Sequence, residues 1–188
     1  MQQKRYMLTV CTIEKISVIF DKEKIMKPQV LIVMGSDSDI PVMEGAEEIL
    51  KQLKVPYRTT IASAHRTPER AARLASEAEG KGIEVIIAGA GMAAHLAGIL
   101  AAHTIIPVIG VPINASPLNG LDALLSTVQM PPGVPVAAMA IGKAGAKNAA
   151  ILSAQIIGRK DPQVAKRLRT FKKKMAEEVE QKAKALKV

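Results

Sequence analysis

Residues 63–68, Ser63-Ala64-His65-Arg66-Thr67-Pro68, place an imidazole, a guanidinium and two hydroxyls side by side. A solvated turn is satisfied by Gly, Asn or Pro and needs none of these groups. Histidine is the side-chain type that exchanges protons near neutral pH, and arginine offers a planar fork that fits a phosphate. A second polar run, Gly35-Ser36-Asp37-Ser38-Asp39, precedes Ile40-Pro41. There Ser36, Ser38 and the N–H groups opening a helix can hold an anion. Ser38 or Asp39 can also serve as a plain helix cap, and the carboxylates can accept from a ribose diol. A third run, "GAGMAAH" (89–95), is made of small residues that let a ligand approach the backbone near Gly91, with His95 in the first turn of the next helix. A phosphate cradle, an arginine, one or two histidines and carboxylates suit proton transfer on a phosphorylated sugar or nucleotide, without a cofactor and with His65 as base.

These runs need elements to bring them together. Five apolar, β-branched stretches recur: "QVLIVM" (29–34), "YRTTI" (57–61), "VIIAGA" (85–90), "PVIGVP" (107–112) and "PVAAMAI" (135–141). Four lack strict alternation, as expected of strands buried on both faces. Helical patterns lie between them at 42–53, 68–81, 93–103, 119–128 and 143–158. In the first, Val42, Met43, Ala46, Ile49, Leu50 and Leu53 share one stripe, with Glu44, Glu47, Glu48 and Lys51 off it. Alternating β and α units predict a parallel sheet with helices on both faces and a flavodoxin-like strand order, 2-1-3-4-5. Each polar run then falls at the carboxyl end of a strand, where such sheets bind ligands. Thr67-Pro68 reads as a helix start, so Ser63, His65 and Arg66 lie in the loop before it.

Residues 27–161 thus form a catalytic α/β domain, and 162–188 one long helix. Its apolar residues Val164, Leu168, Phe171, Met175, Val179, Ala183 and Leu186 recur at steps of three and four. That stripe packs either on its own domain or on a neighbouring subunit. Residues 1–26 precede a second methionine, Met26, and stand outside the scheme as an extra strand, a disordered arm or the product of an upstream start codon. The loops at 113–120 and 128–135 are candidates for a lid or an oligomer contact. His103 reads as a positive group at a helix C-terminus.

The net charge of +9 raises the question of nucleic acid. Residues 27–158 hold ten basic and ten acidic residues, whereas 159–188 hold eleven and four, so the excess belongs to the tail. With 2% aromatic residues there is no base-stacking surface, and no nucleic-acid partner is expected. No apolar run reaches the ~18 residues of a spanning helix, and "MLTVCTIEKISVIF" (7–20) carries Glu14 and Lys15, so no membrane anchor or signal peptide is read. The single cysteine, Cys11, precludes a disulfide framework within the chain and fits a cytoplasmic setting. No metal-ligand spacing is present. Gly89-x-Gly91-x-x-Ala94 resembles a dinucleotide fingerprint, but the register where a ribose-binding acid belongs, 107–114, holds none, so NAD is rejected.

The segments "MGSDSD", "SAHRTP", "IIAGAGMAAHLAG", "PVIGVP", "LNGLDALLSTVQMPPGVPVA" and "AIGKAGAKNAA" together resemble class I N5-carboxyaminoimidazole ribonucleotide mutases of de novo purine synthesis. The resemblance spans residues 29–158 in order and spacing. It implies a three-layer flavodoxin-like sandwich, a homo-octamer, and a ribonucleotide substrate whose carboxyl group moves from nitrogen to a ring carbon by way of trapped carbon dioxide. His65 matches the family's proton-carrying histidine, Ser36, Asp39 and Arg66 match substrate-binding positions, and Ser63 and His95 lie in matching loops. Class II relatives, which carboxylate aminoimidazole ribonucleotide directly, carry "SAHKT" and "GRSN" at two of these places. Here both places follow class I. The chain departs from the class at Met92, where a glycine is usual, and at Ala97, where a proline is usual. Both changes bear on pocket shape. A silent ribonucleotide-binding module is the remaining alternative, and the intact His65 speaks against it.

Overall fold

The computed structural model describes residues 27–186; the expectation for residues 1–26 lies outside them. Five strands form one parallel sheet in the order β2-β1-β3-β4-β5. They are β1 Val30–Met34, β2 Tyr57–Ile61, β3 Val85–Gly91, β4 Val108–Ile113 and β5 Ala137–Ala138. Between and after them run α1 Ile40–Gln52, α2 Pro68–Ser76, α3 Leu96–Ala102, α4 Leu121–Val128, α5 Lys143–Ile157 and α6 Pro162–Ala185.

Strand β1 shows why its sequence is apolar throughout. All five residues are buried, Val30, Ile32 and Met34 into one core and Leu31 and Val33 into the other. The two-residue side-chain period sends alternate residues to opposite faces, and each face is covered. Helices α1 and α5 close the first core, where Met43, Ala46, Ile49 and Leu50 meet Ala146, Ala149, Ala150 and Ala154. Helices α2 and α3 close the second with Ala71, Ala75, Leu96, Ala97 and Leu100. Small residues let the layers approach closely. A Cβ on Gly110 of β4 would collide with the Thr127 side chain of α4. Burying one Ile such as Ile32 contributes roughly 1.5–3 kcal/mol, and the fold is the sum of many such terms against chain entropy.

Several expected boundaries shift. The fifth strand, expected over 135–141, shrinks to two residues paired with Ile109 and Gly110. It is an edge strand entered through Pro135, which has no N–H to donate. The helix expected over 68–81 ends at Ser76, followed by a 3-10 turn at Glu79–Lys81 that stops at left-handed Gly82. The helix expected from 93 begins at Leu96, because Met92 has φ 56 and a tight turn follows it. The one expected from 119 begins at Leu121, after Asn119 and Gly120 at φ 53 and 84.

Helix α6 begins at Pro162, and the Asp161 carboxylate accepts from the N–H groups of Gln163 and Val164 at 2.8 and 3.2 Å. This is the usual Asp-Pro opening. Its first turns pack on the domain: Val164 is buried, Leu168 and Phe171 lie against the first core, and the Arg167 Nε donates to the Leu53 carbonyl. Beyond them Met175, Val179 and Leu186 are exposed. The apolar stripe is therefore used for half its length within this chain.

Candidate functional site

The switch point of the sheet decides what meets what. From β1 the chain runs to β2 on one side, while β3 pairs on the other, so the loops leaving β2 and β3 face each other across the exit of β1. A cleft of about 510 Å³ opens there. Its walls include Ser36, Ser38 and Asp39 after β1, Ser63, His65 and Arg66 after β2, Gly91 at the end of β3 and His95 beyond it. All eight site residues expected from the sequence line it.

The β1 exit is a turn braced from within. The Ser36 hydroxyl accepts from the Ser38 N–H at 3.4 Å and donates to Asp37 at 2.9 Å. The Ser36 N–H donates to the Asp39 carboxylate at 3.0 Å. Ser36 and Asp39 thus form a capping box on the 3-10 turn Asp37–Asp39, and Asp39 occupies the N-cap position of α1 without a side-chain hydrogen bond to that helix, whereas Ser38 caps neither. Asp39 is 4% exposed. Burial pushes its carboxyl above the ordinary value, opposed by hydrogen bonds from the Ser36 and Gly35 N–H groups. Asp37, outside, is held below its ordinary value, chiefly by the Ser36 hydroxyl.

The β2 loop is likewise self-bonded. The Thr67 hydroxyl accepts from the Ser63 N–H at 2.9 Å and donates to the Ser63 carbonyl at 3.1 Å. Thr67 does sit at the N-cap position of α2, but its side chain clasps this loop instead of capping the helix. The Ser63 hydroxyl in turn accepts from the Arg66 N–H at 3.2 Å and lies 3.5 Å from Arg66 Nε. Arg66 Nη2 donates to the Gly35 carbonyl at 3.1 Å, which pins the guanidinium over the β1 turn. Ser63 is thus the orienter of the arginine.

The β3 loop supplies the partner for His65. His65 Nε2 lies 2.7 Å from His95 Nδ1, with the rings edge-on at 84° and their centroids 5.0 Å apart. His95 occupies the N-cap position of α3 instead of its first turn. Gly91 is there for steric reasons, since a Cβ would stand 2.5 Å from the Ala115 Cβ and 3.1 Å from the Ile113 carbonyl. Its bare Cα lets the loop after β4 fold against the loop after β3. Ala115 is a wall residue that sequence reasoning did not single out, since an alanine in a polar loop carries no chemical signal. Thr67 was detectable as a hydroxyl four residues from Ser63. His103, exposed at the far end of α3, is not among the residues of this cleft.

Chemically the cleft offers hydroxyl and backbone donors beside a fixed guanidinium, which suit a phosphate, and an imidazole pair that can carry a proton. Among the described residues no group of three or more His, Cys, Asp or Glu is placed to hold a metal, and no helix is long and apolar enough to cross a membrane.

Known proteins place this arrangement. A mutase of Pyrococcus horikoshii that acts on N5-carboxyaminoimidazole ribonucleotide is 60% identical over 85% of this chain and 89% of its own length. The N5-carboxyaminoimidazole ribonucleotide mutase of Thermotoga maritima is 57% identical over 85% of this chain and 92% of its own. The crystal structure of Treponema denticola PurE superimposes with a TM-score of 0.78 at 28% identity, covering 86% of this chain and 99% of that one. The AIR carboxylase family model matches residues 29–178, and the chain belongs to that family.

Proposed function

We propose that the chain converts N5-carboxyaminoimidazole ribonucleotide to 4-carboxyaminoimidazole ribonucleotide in purine biosynthesis, as a mutase. The observation that carries this reading is the meeting of His65 and His95 at 2.7 Å above a turn fitted for phosphate. The reaction is an isomerisation. The bond from the exocyclic nitrogen to its carboxylate breaks, the electron pair stays on nitrogen, and nitrogen takes a proton. The neighbouring ring carbon then attacks the carbon dioxide and gives up its own proton. One proton moves from carbon to nitrogen in net terms, so a single imidazole can carry it, and His65 is that group.

Ser36, Ser38 and Arg66 hold the phosphate, Asp39 the ribose side of the turn it braces, and Gly91 shapes the substrate's pocket by letting the loop after β4 close against the β3 loop. Ser63 orients Arg66, and His95 holds the ring of His65. The residues need only keep carbon dioxide beside the carbon nucleophile and keep water away, which are positioning effects.

The working form on this reading is a cytoplasmic homo-octamer. Two apolar surfaces support an assembly of subunits: Leu118 before α4 with Leu121, Leu125 and Val128 along it, and Met175 and Val179 on the outer half of α6 with Leu186 just past its end. Beside the first, Asp122 Oδ1 is buried with no hydrogen-bond partner among the described residues, a cost that a donor from a neighbouring subunit removes.

An absorbance assay with two substrates tests the activity. Product from N5-carboxyaminoimidazole ribonucleotide without added bicarbonate supports the mutase. Turnover only of aminoimidazole ribonucleotide with bicarbonate would make the chain a direct carboxylase and overturn the reading.

A further inference from the structure

Two of the donors assigned to the phosphate are already in use. A serine hydroxyl has a single hydrogen to donate, and Ser36 gives its hydrogen to the Asp37 carboxylate at 2.9 Å. The Ser38 N–H donates to the same carboxylate oxygen, Asp37 Oδ1, at 3.1 Å, and more distantly to Ser36 Oγ at 3.4 Å. Asp37 therefore takes from the β1 exit the two hydrogen bonds that a phosphate oxygen would take there. These bonds favour its ionised form, and the guanidinium of Arg66, the third group assigned to the phosphate, attracts it as well. Bracing of the turn does not require Asp37, because Asp39 does that through the Ser36 N–H at 3.0 Å.

We infer that Asp37 is an internal competitor of the substrate's phosphate, which must give up the Ser36 hydroxyl and the Ser38 N–H before the phosphate binds. The inference rests on the mutase reading for its substrate and adds to it a residue that tunes affinity. The carboxyl group moves on the base, so substrate and product present the same phosphate to the turn. A tighter grip there would deepen both complexes equally and raise no rate. A grip loosened by Asp37 lets product leave as readily as substrate enters.

The test uses the full chain and ribose 5-phosphate, which carries the phosphate and the ribose without the reacting base. Calorimetry should show Asp37→Ala binding it roughly tenfold more tightly than the parent. The gain should persist at high salt, where charges at a distance are screened. Asp37→Asn, which keeps an oxygen for the same donors but no charge, should fall between the two. In turnover of N5-carboxyaminoimidazole ribonucleotide, Asp37→Ala should lower KM and the product-inhibition constant by the same factor, with kcat no higher. Unchanged or weaker binding in Asp37→Ala, a gain that vanishes at high salt, or an Asn variant equal to the Ala variant overturns the inference while the parent's activity stands. A parent that forms no product, in a chain where Asp37→Ala still gains affinity at high salt, refutes the mutase reading and leaves the competitor in place.

Discussion

His65 Nε2 and His95 Nδ1 stand 2.7 Å apart although thirty residues separate them in the chain. One imidazole must donate and the other accept, so each ring fixes the orientation and the proton position of the other. Two variants separate their parts. His65→Asn should cut kcat by about 10²–10⁴-fold while still binding the ribonucleotide. His95→Asn should lower kcat by roughly tenfold with little change in KM, the loss expected of misorientation. Steady-state kinetics with a separate binding measurement would show this, and full activity in His65→Asn would remove it from the proton path.

Arg66 is held by two hydrogen bonds that only a guanidinium makes together, one to the Gly35 carbonyl and one near the Ser63 hydroxyl. Arg66→Lys keeps the charge and loses the fork. We expect KM to rise about 10- to 100-fold, the equivalent of a lost charge-assisted hydrogen bond of about 1.5–3 kcal/mol. Ser63→Ala should show a smaller effect of the same kind.

The buried Asp39 gives stability a pH dependence. Its carboxyl is raised by burial, so the folded chain holds the proton more firmly than the unfolded one. Stability from this group therefore falls as pH climbs from the ordinary carboxylate value through the raised one. Asp39→Asn still offers an oxygen to the Ser36 N–H but does not titrate. Its melting midpoint should match the parent in acid and exceed it above the raised value. A gap that shrinks as pH rises would reverse the assignment. Asp37, exposed and lowered by its hydrogen bonds, works in the opposite direction and cancels between the two proteins.

Gly91→Ala should destabilise the chain by about 1–3 kcal/mol through the overlap with Ala115. Ala115→Gly in the same chain should recover part of that loss, because the two Cβ atoms compete for one space. Chemical denaturation of the double-mutant cycle measures the coupling, and additivity would show that the loops do not press together.

Leu125→Glu on α4 and Val179→Glu on α6 place charges on surfaces that the isolated chain leaves open. If those surfaces join subunits, each variant should lower the mass measured by light scattering while helical content is kept. An unchanged assembly in both would show that the contacts lie elsewhere.

Much of this protein was readable before any coordinates. The apolar runs, with helical patterns between them, pointed to the parallel sheet, because a strand covered on both faces must be apolar on both, and five such units suggested its order. The polar runs Ser36–Asp39, Ser63–Arg66 and Gly91–His95 showed by their place after each strand that they would share one edge. The chemistry was legible too, since residue type alone says what can carry a proton or grip a phosphate.

Tertiary structure decided the pairings. No local pattern shows that His65 meets His95, that Arg66 reaches Gly35, or that Gly91 makes room for Ala115, because these contacts depend on how loops from different strands close over a twisted sheet. It also moved the helix starts, where left-handed residues at Met92 and Asn119 delay the helix in a way propensity does not register. The fate of the α6 stripe shows the same division. Periodicity marks Val164 and Val179 as members of one apolar face, but only the packing of the domain covers the first at 1% exposure and leaves the second at 64%. Burial is a property of the whole surface, and a sequence read one helix at a time does not contain it.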